Sequence, residues 1–172
     1  VIEDAAQSFG ASAAYSDKQL SSCASTTISC TSFFPAKPLG CYGDGGALFT
    51  NDETLDVALK QIRDHGSESR YYHTRIGVNG RLDTIQCAII SQKLKRYSWE
   101  MEQRDRVAQR YNQAFKELES AGLITPYVGD GYKSVWAQYT LRVSDRDQFQ
   151  SAMKERGIPT AVHYPMTFDE QP

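Results

Sequence analysis

The residues best placed to do chemistry lie in one stretch, Thr31-Ser32-Phe33-Phe34-Pro35-Ala36-Lys37-Pro38-Leu39-Gly40, followed by Cys41-Tyr42-Gly43-Asp44-Gly45-Gly46. It sets one lysine between two prolines, behind two aromatics and ahead of a glycine cluster. Proline fixes φ near −65° and restricts the residue before it, so Ala36-Lys37-Pro38 is confined to a few extended or turn conformations. An ordinary lysine is neutral only about once in 2,500 at pH 7. An amine nucleophile must therefore be desolvated or placed among other cations, and Phe33 and Phe34 are candidates for an apolar wall. The competing reading of Lys37 is a surface lysine in a Gly/Pro loop.

Three other groups complete an inventory: Asp4 at the end of an apolar pair, Gln7 three residues on, and Ser32 close to the lysine. A carbonyl cofactor that needs a lysine imine, an acid to keep a ring nitrogen protonated and a hydroxyl for its phosphate would use this set. The cofactor implied is pyridoxal 5'-phosphate. A carboxylate about 4 Å from a pyridinium is worth roughly 4 kcal/mol at an effective dielectric of 20. Asp4 also reads as a turn or N-cap aspartate.

Several elements must position these groups. Val1-Ile2 running into Glu3-Asp4 reads as a buried strand whose polar residues emerge at its carboxyl end, where ligands bind in open α/β sheets. Thr26 to Cys30 suits a second strand and Ala47 to Thr50 a third. Asn51-Asp52 caps a helix with Leu55, Leu59 and Ile62 on one face and Gly66 as its stop. Residues 66 to 80 form a loop dense in Arg, Tyr and His. An amphipathic pattern runs from Leu82 to Gly122 and breaks near Ser98. Residues 135 to 143 alternate like a half-buried strand, Asp145 caps a helix stopped by Gly157, and Ile158 to Tyr164 reads as another strand.

The 172 residues carry 40% hydrophobic side chains, enough for a real core, and a net charge of −2 from interspersed acids and bases. That pattern excludes a footprint for nucleic acid or an anionic membrane. Cys23, Cys30, Cys41 and Cys87 form no C-x-x-C pair, so reduced cytoplasmic thiols are expected. No run is apolar enough to span a bilayer, and His65, His73 and His163 lack the spacing of a metal site.

The stretches Val1 to Gly10, Thr31 to Lys37, Gly43 to Gly46, Gly77 to Asp83 and Pro159 to Pro165 together resemble the DegT/DnrJ/EryC1/StrS sugar aminotransferases. The resemblance implies an α/β fold: part of the large domain of a fold-type I pyridoxal-phosphate enzyme (1–98), then an interdomain helix and part of a small α+β C-terminal domain (99–172). It implies that Lys37 attaches the cofactor and then shuttles a proton. It also implies that Asp4 pairs with the ring nitrogen, Gln7 lies against the ring and Ser32 binds the phosphate. Asn79 would reach the phosphate of a neighbouring subunit in a homodimer with shared active sites, and Arg81, His163 and Tyr164 would line the sugar-nucleotide pocket.

Within the family, the wording from Thr31 to Gly46 is similar to that of enzymes that aminate C3 of UDP-2-acetamido-2-deoxy-3-oxo-glucuronic acid from glutamate for O-antigen. A 4-keto-6-deoxy sugar nucleotide is the alternative substrate, and a non-catalytic binding or regulatory homologue the alternative class. Relatives that are dehydratases carry histidine at the lysine position, against which Lys37 stands. The family pattern also has an upstream half, with a Gly-Thr phosphate loop and a stacking aromatic. The chain is therefore expected to be an internal piece, inactive alone.

Overall fold

A computed structural model describes residues 1–172. In chain order the elements are β1 (Ile2–Asp4), β2 (Ser12–Tyr15), β3 (Lys18–Ser21), β4 (Ile28–Ser32), β5 (Gly46–Phe49), α1 (Glu53–Arg63), β6 (Ser67–Ser69), β7 (Tyr72–His73), α2 (Thr84–Leu94), α3 (Tyr97–Phe115) and α4 (Arg146–Glu155). Two 3-10 turns cover Lys116–Ala121 and Phe168–Glu170. The residues divide into two compact units, Val1–Tyr111 with Tyr127–Tyr139, and Asn112–Pro126 with Thr140–Pro172.

The first unit is built on a three-stranded sheet in the order β1-β4-β5. β1 runs parallel to β4, with Ile2 opposite Ile28 and Asp4 opposite Cys30, whereas β5 returns antiparallel, with Ser32 opposite Gly46. Glu3 fixes the crossover between the parallel strands: its carboxylate accepts from the Ser29 hydroxyl at 2.9 Å and from the Cys23 amide at 3.0 Å. Phe33, Leu39, Cys41, Ile90 and Tyr97 form the buried core, with Phe9, Ala47, Leu82, Ile89 and Met101 packed around it. The Phe9 ring stacks on Phe49 with centroids 6.1 Å apart and lies 5.8 Å from Tyr97.

α1 begins as its sequence dictates, for Asp52 accepts from the Thr54 and Leu55 amides at 2.8 and 3.1 Å. It ends at Arg63, one residue earlier than a stop at Gly66 requires: His65 already turns left-handed at φ +59°, and Gly66, at φ +73°, follows and donates to the Gln61 carbonyl at 2.7 Å. Residues 66 to 80, expected as a loop, contain the β6/β7 hairpin, folded so tightly that a Cβ on Gly66 would stand 1.7 Å from the Arg75 carbonyl oxygen. The long amphipathic stretch breaks between α2 and α3, at residues 95 and 96, and Gly122 closes it in the left-handed conformation.

Two expected strands are absent. Along residues 135 to 143 the one ladder contact is the Ile124/Arg142 bridge, and Trp136 adopts φ +50°, which breaks an extended run. Its indole instead donates to Asp105 at 2.9 Å, while the Tyr139 ring packs 5.0 Å from that of Tyr111. Residues 158 to 164 carry no ladder either. Alternation marks which side chains share a face, but a strand exists only where a neighbour takes up its backbone hydrogen bonds. In the second unit α4 stands as expected: Asp145 accepts from the Gln148 amide at 2.9 Å, and Gly157 ends the helix at φ +71°. No helix is long and apolar enough to cross a membrane.

Candidate active site

Parallel pairing brings the carboxyl ends of β1 and β4 to the same edge of the sheet, so Asp4 and Ser32 close adjacent strands. The turn after Asp4 is held from below. The Ala5 amide donates to the Cys30 carbonyl at 2.7 Å, the buried Thr31 hydroxyl donates to the Ala5 carbonyl at 3.1 Å, and one oxygen of Asp4 accepts from the Ala6 amide at 3.0 Å. The second oxygen of Asp4 has no partner within the chain and faces solvent, as does the Gln7 amide. Ser32 accepts from the Phe34 amide at 3.2 Å, which leaves its hydroxyl proton to be donated outward.

Beyond Ser32 the chain leaves the sheet as a strap, residues 33 to 45. Its base is closed by the Phe33 amide donating to the Gly45 carbonyl at 2.7 Å and by the Cys41 amide donating to the Phe33 carbonyl at 2.8 Å. The Cys41 thiol lies within 2.9 Å of the Phe33 carbonyl and 3.0 Å of the Gly43 carbonyl. A turn from the Lys37 amide to the Phe34 carbonyl, 2.9 Å, presents Lys37 half-buried. Its ammonium makes no hydrogen bond or ion pair in the chain. Of the two aromatics ahead of the lysine, Phe33 belongs to the core, while Phe34 is 48% exposed. Only Phe34 remains as a wall near the strap's surface.

Three side chains that sequence reasoning did not single out hold the strap against α2 and α3. Arg104 donates to the Pro38 carbonyl at 3.2 Å, the Lys93 ammonium donates to the Gly40 carbonyl, and Gln86 accepts from the Tyr42 amide at 2.9 Å. Glycines let the strap fold tightly on itself and on Leu82: a Cβ on Gly40 would lie 2.5 Å from the Pro35 carbonyl oxygen, and one on Gly45 would lie 2.7 Å from Leu82. Below the strap, burial above all pushes the Tyr97 phenol up to about 12, with Arg104 opposing and Glu100 adding to the rise. That hydroxyl donates to the Phe9 carbonyl at 2.5 Å.

The other sequence-derived candidates belong to other segments of the chain. Asn79 bridges Asp64 at the end of α1, and Arg81 forms an ion pair with the same aspartate. His163 and Tyr164 belong to the second unit, and both are exposed. A cavity of about 990 Å³ lined by Cys30, Leu48, Leu59, Ile62 and Leu82 includes none of Asp4, Gln7, Ser32 or Lys37. No cluster of His, Cys, Asp or Glu in the chain could hold a metal ion.

The free groups of Asp4, Gln7 and Ser32, at and just beyond the strand ends, and of Lys37 on the strap fit pyridoxal phosphate by their chemistry. They are an uncommitted carboxylate oxygen, an uncommitted primary amine, a hydroxyl with a proton to donate, and an amide. Together they could hold a ring N–H, a carbonyl carbon and a phosphate. The remainder of a phosphate cradle does not come from these four residues.

The architecture is that of part of a fold-type I pyridoxal-phosphate aminotransferase. The chain superposes on S. venezuelae DesV with a TM-score of 0.91 at 34% identity, covering 99% of this chain and 44% of that one. It belongs to the DegT/DnrJ/EryC1/StrS aminotransferase family, whose model matches residues 1–172. Among curated proteins it is 52% identical to a UDP-2-acetamido-2-deoxy-3-oxo-D-glucuronate aminotransferase of Pseudomonas aeruginosa, over 100% of this chain and 46% of that protein. It is 43% identical to a pleiotropic regulatory protein of Geobacillus stearothermophilus, over 100% of this chain and 45% of that protein. The chain thus spans about half the length of the curated relatives it matches.

Proposed function

We propose that the full-length protein is a pyridoxal-phosphate-dependent aminotransferase that moves an amino group from glutamate to C3 of a UDP-3-keto-N-acetylhexuronic acid. It would act as a cytoplasmic homodimer with shared active sites, in making O-antigen or another surface polysaccharide. The observation that carries the reading is an unpaired, half-buried Lys37 on a braced strap that follows the carboxyl end of β4, next to that of β1. The 52% identity to the P. aeruginosa aminotransferase supports the sugar.

When bound, pyridoxal phosphate supplies a carbonyl that exchanges amines and a ring that stores an electron pair. The chain's own residues supply the rest. Lys37 Nζ is the amine that would attach the group and, once released, would serve as the base that takes up and returns a proton. The free oxygen of Asp4 would hold the proton on the ring nitrogen, a carboxylate beside a pyridinium favouring the charged ring. The Ser32 hydroxyl donates to the phosphate, Gln7 packs on the ring face, and Asn79 serves the neighbouring subunit's phosphate. Arg81, His163 and Tyr164 line the sugar-nucleotide pocket. Arg81 is a fitting partner for a substrate carboxylate, provided it exchanges Asp64 for that group.

The name of the G. stearothermophilus relative favours a second reading, a regulatory homologue that keeps the fold without the chemistry. The two part at one measurement. Full-length protein loaded with pyridoxal phosphate should show the visible-edge absorbance of a lysine-bound cofactor, lose it in Lys37→Ala, and consume glutamate with a 3-keto uronic sugar nucleotide. Binding of the cofactor with no turnover on any keto sugar nucleotide would favour the regulatory reading. Failure to bind the cofactor would end both the aminotransferase assignment and the role of Lys37.

A further inference from the structure

The strap that carries Lys37 has little internal structure to define its position. Pro35 and Pro38 have no amide to donate, and its internal backbone bonds are the Lys37-to-Phe34 turn and the Phe33/Cys41 and Phe33/Gly45 closures. Past Lys37, at alternate residues, the backbone is instead gripped by side chains of the two helices beneath. Arg104 takes the Pro38 carbonyl, Lys93 the Gly40 carbonyl and Gln86 the Tyr42 amide. As the strap advances from 38 to 42 its partners step back from α3 to α2, so strap and helix pair run antiparallel and are laced rung by rung. Gln86 and Lys93 lie two turns apart on one face of α2. Neither Lys93 nor Arg104 has a carboxylate partner, so these cations are directed at strap carbonyls and not at a neighbouring acid. Lys93 also lies 5.8 Å from the centre of the Tyr42 ring.

The geometry points to Lys93 and Arg104, with Gln86, as positioning residues for Lys37: they set where the amine stands without touching the reacting atoms. This rests on the catalytic reading of Lys37 given above. Amine transfer needs the nitrogen within a near-attack distance of the carbon it serves, and a displacement of about 1 Å can cost on the order of a hundredfold in rate. A strap of prolines and glycines held by long, charged donors suits that demand. The three contacts span 66, 53 and 44 residues of sequence, so they join segments that local folding would not bring together.

The test uses full-length protein carrying Lys93→Met or Arg104→Met, beside Lys93→Arg and Arg104→Lys, which keep a donor. Amide hydrogen exchange is read without added cofactor. Exchange at Lys37 and Cys41 should speed up about tenfold or more in the methionine variants while α1 keeps its protection. With cofactor and substrates, kcat should fall about tenfold to a hundredfold with the KM for glutamate nearly unchanged, and the conservative variants should recover most of it. Unchanged exchange at both amides, or acceleration shared equally by α1, would overturn the proposal. So would a fall in kcat that Lys93→Arg and Arg104→Lys fail to relieve. Should Lys93→Met not fold, Arg104→Met alone decides by the same readings, and collapse of both would show a purely structural role and overturn the proposal too. If Lys37→Ala retains the cofactor's absorbance, the catalytic reading fails separately, and the exchange result still reports on the lacing.

Discussion

Thr31 donates its hydroxyl to the Ala5 carbonyl at 3.1 Å, tying β4 to the turn that follows β1 one residue beyond Asp4. The bond is buried, and it fixes the direction in which the chain carries Asp4 out of the sheet. The same carbonyl accepts from the Ser8 and Phe9 amides, each at 3.1 Å, so losing the hydroxyl does not orphan it. Thr31→Val should therefore destabilise the full-length protein by about 1 kcal/mol in urea unfolding, with Thr31→Ser close to unaltered.

Asp4→Asn separates the two uses of that side chain. The amide oxygen of asparagine can still accept from the Ala6 amide, so folding should be preserved in circular dichroism. The charge that would hold the ring proton is gone, and kcat should fall about a hundredfold to a thousandfold, as roughly 4 kcal/mol of electrostatic stabilisation implies. Equal loss of structure and activity would instead assign Asp4 to the turn alone.

Gly66 and Gly77 meet back to back under the β6/β7 hairpin, where a Cβ on Gly77 would lie 2.1 Å from the Gly66 nitrogen. At Gly66 the backbone also sits at φ +73°, which side-chain-bearing residues rarely adopt. Gly66→Ala should cost about 2 kcal/mol or more in thermal or urea unfolding. It should also raise amide exchange at Val78 and Gly80, whose hydrogen bonds to Ile62 and Arg63 hold Asn79 at the end of α1.

Alkali should act through Tyr97. Its phenol titrates near 10 when unfolded and at about 12 when folded, because burial disfavours the phenolate. A raised folded value contributes stability that is complete below pH 10 and is lost as pH rises towards 12. Tyr97→Phe should remove that limb of the stability profile, at a loss near neutrality of about 1 kcal/mol for the hydrogen bond to Phe9. An unchanged alkaline limb in chemical denaturation across pH 8 to about 12 would assign the effect to another group.

Short-range signals in the sequence were sufficient for the existence of β1, β4, β5 and the helices but not for burial: Val1 and Ile2, expected in a buried strand, are 88% and 73% exposed, because β1 has a neighbour on one side only. Asp52 and Asp145 announce their helices by reaching only two or three residues ahead, and Gly122 and Gly157 stop helical segments by a conformation that glycine adopts freely, whereas α1 turns left-handed one residue before the expected Gly66, at His65. Residues 135 to 143 show where such signals end. Their alternation is real, but a sheet also needs a partner strand, and Trp136 turns instead towards Asp105, 31 residues away. The lacing of the strap was illegible for the same physical reason. Nothing local to Lys93 or Arg104 distinguishes them from helix-surface cations, and their significance comes from carbonyls 53 and 66 residues distant.

The buried thiol of Cys41 also gives the protein a built-in reporter. Cys41 is 1% exposed, whereas Cys87 is open to solvent and Cys23 and Cys30 are only partly covered. A thiol-alkylating reagent should therefore modify Cys87 quickly and Cys41 last. Mass spectrometry of the alkylated Cys41 peptide would report opening of the segment that bears Lys37, with no cysteine engineered in and no substrate present.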